Sequence, residues 1–250
     1  MSVPPAVPAP QPIFNLPSVV TAFIAIIVGV HLLRVLVLGP DAEIALILNA
    51  AFIPVRLSEP QEAAAFLPAL EGAKVWMFVT YAFLHGDAMH LIINAIWMAA
   101  FATPVARRFG SVRFVLFTLA GAVGGAAVHY FAHMHDAAPM IGASAALSAH
   151  MAASTRFAFE PGGALSGHMR DRDAADRQPA APLMRMLRNR RAMLFVVVWF
   201  AVNLLFGVTV GDVGSGSIAW EAHIGGFLVG LLLFPLFDPI GSVPGEDRPN

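Results

Sequence analysis

The sequence predicts an all-α polytopic membrane protein, a bundle of six transmembrane helices, and three observations carry the prediction. Hydrophobic residues make up 58% of the 250 positions and charged residues only 12%, against about 25% charged in an ordinary soluble domain. Mean hydropathy is +0.71. Windows of roughly 20 charge-poor residues, long enough to cross a hydrocarbon core of about 30 Å as a helix, recur along the chain. So few charges would not cover the surface of a soluble enzyme, and a disordered chain would not hold this much apolar residue. A balance of 15 basic against 16 acidic residues, net −1, supplies no basic face for nucleic acid. With no cysteine, disulfides, thiolate nucleophiles and Cys-ligated metals are excluded.

The elements follow in order. Residues 1–15 are rich in Pro and Ala and carry no charge, which predicts a disordered cytoplasmic tail rather than a signal peptide, since no basic region precedes the first apolar run. The membrane domain is expected over 16–238, with spans at about 16–38, 88–106, 114–132, 142–159, 192–210 and 218–237, and a short tail over 239–250. In lipid each span must be helical, because an isolated strand leaves its backbone unpaired. His31 and Arg34 stand near the far end of the first span. The 39–87 loop includes an apolar stretch, Ile44 to Ile53, suited to lying in the interface. Gly207, Gly211, Gly214 and Gly216 form a flexible connection before the last span, permitted to move as a cover. The 160–191 loop mixes Asp171, Asp173 and Asp176 with arginines and reads as a solvated linker; attraction to anionic headgroups is the sharper alternative.

Basic residues set the expected orientation. Arg107, Arg108 and Arg113 lie between spans two and three, and Arg156, Arg170, Arg172, Arg177, Arg185, Arg188, Arg190 and Arg191 between four and five. Both loops, and with an even number of spans both termini, are expected in the cytoplasm. Localisation is then integral and multi-pass, in the inner (plasma) membrane if the cell is bacterial. Spans two, four and six enter from the outer face.

Polar side chains inside spans are costly and mark candidate sites. Span two opens with His85-Gly86-Asp87-Ala88-Met89-His90 and reaches Asn94, so His90 and Asn94 share one face at i and i+4. Span four opens with Gly142-Ala143-Ser144-Ala145, and span six carries Ala222-His223-Ile224-Gly225-Gly226, with Gly230 further on. All three sets sit in the first turns of helices entering from outside, at similar depth. Gly226 and Gly230 on span six and Ala145, Ala149 and Ala152 on span four are small faces that allow close approach. Alone, Ser144 reads as a hydroxyl bonded to its own helix, and a lone His as a packing residue; the joint pattern outweighs both.

A His and an Asn at i and i+4 on span two, Gly-x-Ser on span four and Ala-His-x-x-Gly-x-x-x-Gly on span six resemble the rhomboid family of intramembrane serine proteases, over almost the whole chain. The resemblance implies a rhomboid-like bundle with Ser144 as nucleophile, His223 as general base and His90 and Asn94 as oxyanion donors. His85 matches a structural histidine of the family. The chain departs from the family pattern at Ala145, where Gly is common, and at Trp76-Met77, where a Trp-Arg pair is common; the first loop is left without that arginine. Glu221, at i and i+2 from His223, faces another way and is not read as a catalytic member.

His129 and His133 have metal-ligand spacing, but no acidic or further His partner accompanies them within the span. With His135, they read as interfacial histidines, and neither metal nor cofactor is expected. Ser148 shares the face of Ser144; His150 points elsewhere as a helix contact. There is no His-Glu-x-x-His and no pair of intramembrane aspartates. The expected chemistry is a Ser/His dyad whose imidazole lacks an identified carboxylate to orient it. Expected partners are the bilayer and membrane proteins whose transmembrane segment begins with helix-destabilising residues. Two rivals stand beside this reading. One is a non-catalytic rhomboid-like protein that holds client helices, although such relatives typically lack the Ser or the His. The other is a small transporter, which would usually show broken helices or inverted repeats.

Overall fold

A computed structural model of the chain describes residues 15–68, 72–166, 172–209 and 219–241. The expected N-terminal tail to residue 14, the C-terminal tail from 242, and Gly211, Gly214 and Gly216 lie outside them. The described chain is helical, with one isolated antiparallel bridge between Phe52 and Met140. Its main helices are α1 (Ser18–Leu36), α2 (Pro40–Ala50), α3 (Ala73–Thr80), α4 (Ala88–Phe109), α5 (Ser111–Ala132), α6 (Ser144–Thr155), α7 (Arg190–Thr209) and α8 (Trp220–Phe237). Among the described residues α1, α4, α5 and α8 are long and apolar enough to cross a membrane. The chain is a polytopic membrane protein.

Local sequence explains how the helices start and bend. Asp87 caps α4, its carboxylate accepting from the His90 backbone N–H at 2.8 Å, which satisfies a donor the first turn would otherwise leave open. Midway, Met98–Ala102 widens into a π turn. Pro104 follows at once; it has no N–H to return to the preceding turn, and the helix absorbs the missing bond there. Gly207, grouped with the flexible connection but within the expected span 192–210, is helical at the end of α7.

Helix α6 is the hub. Every residue from Ala145 to Thr155 is buried, and α8 and α5 pack along it. Small residues make that packing possible. A Cβ on Gly226 would lie 1.9 Å from the carbonyl oxygen of Ala145, and one on Gly230 2.3 Å from that of Ala149. Gly124 and Gly225 do the same between α5 and α8, a Cβ on Gly225 falling 2.5 Å from the Gly124 oxygen. At 12 residues and 1.5 Å per residue, α6 is about 18 Å long, shorter than a hydrocarbon core. Both of its ends are enclosed by the bundle, with Ala143 and Arg156 buried. The helix was expected to continue to 159; it stops at Thr155 because Arg156 turns into the protein, its Nε donating to the Ala181 carbonyl at 2.8 Å.

Two loops differ from their sequence reading. The described part of the 160–191 segment is only partly solvated: Arg177, Arg185, Arg188, Arg190 and Arg191 are exposed, while two of its acids turn inward. Glu160 and Asp176 are buried, paired with Arg185 at 3.0 Å and Arg107 at 3.3 Å. In the first loop the apolar stretch divides: Ile44 is exposed, whereas Ala51, Phe52 and Ile53 turn inward into the core. Met77 is fully buried against Phe52 and Tyr81. The anchor is Arg56, whose guanidinium donates to the carbonyls of Pro68 at 3.0 Å and Leu48 at 2.8 Å, while Trp76 Nε1 donates to that of Asn49 at 2.9 Å.

Candidate active site

The loop ahead of α6 is held on every side. Phe52 and Met140 exchange backbone bonds of 3.0 and 2.8 Å, and the Gly142 N–H donates to the Tyr81 carbonyl at 3.0 Å. His85 is completely buried beneath this turn, and burial pushes its pKa down to about 3, so the imidazole is neutral. Its Nε2 faces the Ala143 N–H at 3.5 Å. The far end of α1 fixes His85 in turn: its carbonyl accepts from Arg34 and lies 3.3 Å from His31 Nδ1, and Arg34 also pairs with Glu43 at 3.0 Å.

Gly142 has φ +123°, a conformation side chains rarely adopt. A Cβ there would meet His90 Nε2 at 2.8 Å and lie 3.6 Å from Ser144 Oγ. The glycine of Gly-x-Ser thus serves two needs, the turn and the approach of the His90 ring to the serine.

Ser144, the first residue of α6, places its Oγ 2.7 Å from His223 Nε2 on α8. The opposite ring nitrogen, His223 Nδ1, meets Asn203 Oδ1 on α7. The Asn203 amide is itself oriented, because its Nδ2 donates to the Trp199 carbonyl at 2.8 Å and leaves Oδ1 turned to the imidazole. Since Oδ1 can only accept, Nδ1 carries the proton and Nε2 presents a lone pair to the serine hydroxyl. That is the tautomer a general base needs. The sequence reading missed Asn203. Its only signal was an amide inside an otherwise apolar span.

The other candidates fall in different places. His90 lies beside Ser144 across Gly142. Asn94, buried one turn on, donates from Nδ2 to the His90 carbonyl at 2.8 Å, and no hydrogen bond joins it to Ser144 among the described residues. It holds a second amide N–H. Ser148 bonds back to the Ser144 carbonyl at 2.7 Å. His150 lies away from the site, 2.9 Å from Thr118 and stacked on Phe114. His135 is exposed and paired with Glu59. His129 and His133 do have an acidic partner after all, supplied by another helix: Glu221 of α8, 3.1 Å from His133 Nε2.

A sequence model described as the Rhomboid domain matches residues 72–238. The chain is 28% identical over 178 residues to Rhomboid protease GlpG of Serratia proteamaculans (strain 568), covering 71% of this chain and 51% of that protein. It is 27% identical over 184 residues to Rhomboid-like protease 3 of Toxoplasma gondii, covering 71% of this chain and 60% of the relative. A shorter match, 34% over 84 residues, joins it to Rhomboid-related protein 3 of Homo sapiens, covering 32% of this chain and 20% of that one. The aligned region thus spans only about half to three-fifths of the first two relatives.

Proposed function

The chain belongs to the rhomboid family, and from that premise we propose that it is an intramembrane serine endopeptidase with Ser144 as nucleophile and His223 as general base. The observation that carries the reading is the 2.7 Å contact between Ser144 Oγ and His223 Nε2, made by residues 79 apart on two helices. A serine hydroxyl is a poor nucleophile until a neighbouring base takes its proton. In the first step the Ser144 oxygen bonds to the scissile carbonyl carbon as its proton passes to His223 Nε2. The carbonyl oxygen becomes an oxyanion, for which His90, the second amide hydrogen of Asn94 and the Ser144 backbone N–H are the available donors; one such donor is worth about 3 kcal/mol in the transition state. Collapse breaks the C–N bond, and His223 returns the proton to the leaving amine. Water then repeats the sequence on the acyl-enzyme.

Asn203 is a positioning residue in this scheme, accepting from Nδ1 and holding the imidazole in the reactive tautomer as it gains charge. Substrates are membrane proteins whose transmembrane segment opens with small or helix-breaking residues, because a peptide bond inside an intact helix is shielded by its own hydrogen bonds. The six spans, with both termini cytoplasmic and the site near the outer face, give water a route from that side. In a bacterial cell the enzyme sits in the inner membrane.

The test is reconstitution in liposomes with a single-span substrate. Wild type should cleave it, and Ser144→Ala and His223→Ala should each lose at least about 10⁴-fold in rate. A fluorophosphonate should label wild type and not Ser144→Ala. Undiminished product from both variants would overturn the reading, and no product or labelling from wild type would overturn it in favour of a non-catalytic protein that holds client helices.

A further inference from the structure

A second group of chemically competent side chains stands at the mouth of the bundle, where α5 ends and α8 begins. His129 lies in the last turn of α5 and His133 just past its end, with rings stacked, centroids 4.7 Å apart. Glu221, in the first turn of α8, reaches across to both: Oε1 is 3.1 Å from His133 Nε2 and Oε2 is 4.0 Å from His129 Nδ1. One ligand atom from each of the three lies within 4.8 Å of the other two. Tetrahedral coordination at about 2.0–2.1 Å sets ligand atoms about 3.3 Å apart, so modest rotations of these side chains close the set around one ion.

Two further observations point to a ligand. His129 is buried, and its Nδ1 finds no hydrogen-bond partner among the described residues. A simple His133–Glu221 ion pair leaves that atom idle, at the cost attached to any buried polar group without a partner. A metal ion bound by all three residues would use it. On the other side of the cluster, His133 Nδ1 lies 2.9 Å from Asp136 Oδ2. A carboxylate behind a histidine fixes the tautomer that aims the opposite nitrogen at a metal, the usual outer support of such sites. His135, although close in sequence, pairs with Glu59 and takes no part.

We propose that His129, His133 and Glu221 form a binding site for a Zn²⁺-class divalent ion, with the partly exposed side of His133 leaving a fourth position for water. Two imidazoles and one carboxylate match zinc and its neighbours rather than Mg²⁺ or Ca²⁺, which demand more oxygen ligands. The ion joins the last turn of α5 to the first turn of α8, two residues ahead of His223. The proposal stands apart from the protease reading, because occupancy is measured without a substrate.

The experiment uses the full chain, without a polyhistidine tag, purified in micelles and stripped with a chelator. Co²⁺ serves as the coloured probe and Zn²⁺ as its competitor. Wild type should bind one Co²⁺ per chain with a visible ligand-field band that Zn²⁺ abolishes, and Zn²⁺ should raise its melting temperature. Glu221→Gln, which keeps a hydrogen bond to His133, and His129→Gln should each weaken binding at least tenfold and lose the thermal shift. His135→Gln should behave as wild type. No band and no thermal shift in wild type would overturn the proposal, as would equal affinity in Glu221→Gln and His129→Gln.

Discussion

At its C-terminal end α6 runs into Arg156, whose guanidinium donates to the carbonyls of Ala181 and Leu231 and lies over the Phe234 ring. Beside it Arg108 makes a two-pronged pair with Asp238 at 2.8 Å and donates to the carbonyls of Asp176 and Gln178. At its N-terminal end α6 opens with Ser144, whose neighbours are left incomplete: Asn94 Oδ1 is buried without a partner among the described residues, and His90 faces the serine across a bare glycine. Both ends place polar groups in an apolar bundle. One saturates them and ties three helices together; the other holds donors and acceptors ready for a group not yet present. The proposed chemistry would need the second arrangement, and the first closes the opposite end.

The sharpest way to break the comparison is at the saturated end. Arg108→Ala removes the ion-pair partner of buried Asp238, leaving it only the Ile240 N–H, and frees two carbonyls; removing one partner of a buried pair costs about 3–5 kcal/mol. The expected result is a marked drop in melting temperature in micelles, with unchanged turnover per folded molecule. A lowered kcat at full folding would mean that the two ends are not separate in function.

Asn203→Leu attacks the other end. Loss of the acceptor behind His223 Nδ1 frees the ring to turn and to adopt the wrong tautomer, so kcat should fall about 10- to 100-fold with KM and melting temperature little changed. Asn203→Asp, which still accepts from Nδ1, should recover most of the rate. A parallel fall in stability, or no recovery with Asp, would make Asn203 a packing residue.

How far sequence reaches follows from these residues. Ser144, His223, His90 and Asn94 could be singled out as candidates because polar side chains are rare in lipid and their spacings, Gly-x-Ser and i, i+4, are local in sequence; the 2.7 Å approach of Ser144 to His223 is what the fold adds. Asn203 has no spacing relation to His223; only the packing of α7 against α8 brings them together. The Glu221 partnership was hidden for the same reason, since the i, i+2 rule correctly turned it away from His223 but said nothing of α5. The mixed charge of the 160–191 segment resembled a solvated linker because composition does not show that Asp176 and Glu160 are paired and buried. Met77 in place of an arginine suggested a missing anchor, yet Arg56, 21 positions earlier, holds the loop through backbone carbonyls that no side-chain pattern reveals.

The smallest expected effect tests how finely the open end is set. Asp87 caps the helix that carries His90, and the backbone N–H of His90 holds its carboxyl below the usual range. A depressed folded-state pKa adds stability that is complete above the unfolded value of about 3.9 and fades as pH falls through the folded one. Asp87→Ala should therefore cost about 1 kcal/mol at neutral pH. The difference in melting temperature between variant and wild type should narrow as the pH is lowered below about 4. Cleavage should drop only a few-fold, because Gly142 and the buried His85 still confine the His90 ring. A loss as large as that from Asn203→Leu would show instead that the cap, rather than the loop ahead of α6, fixes the oxyanion side of the site.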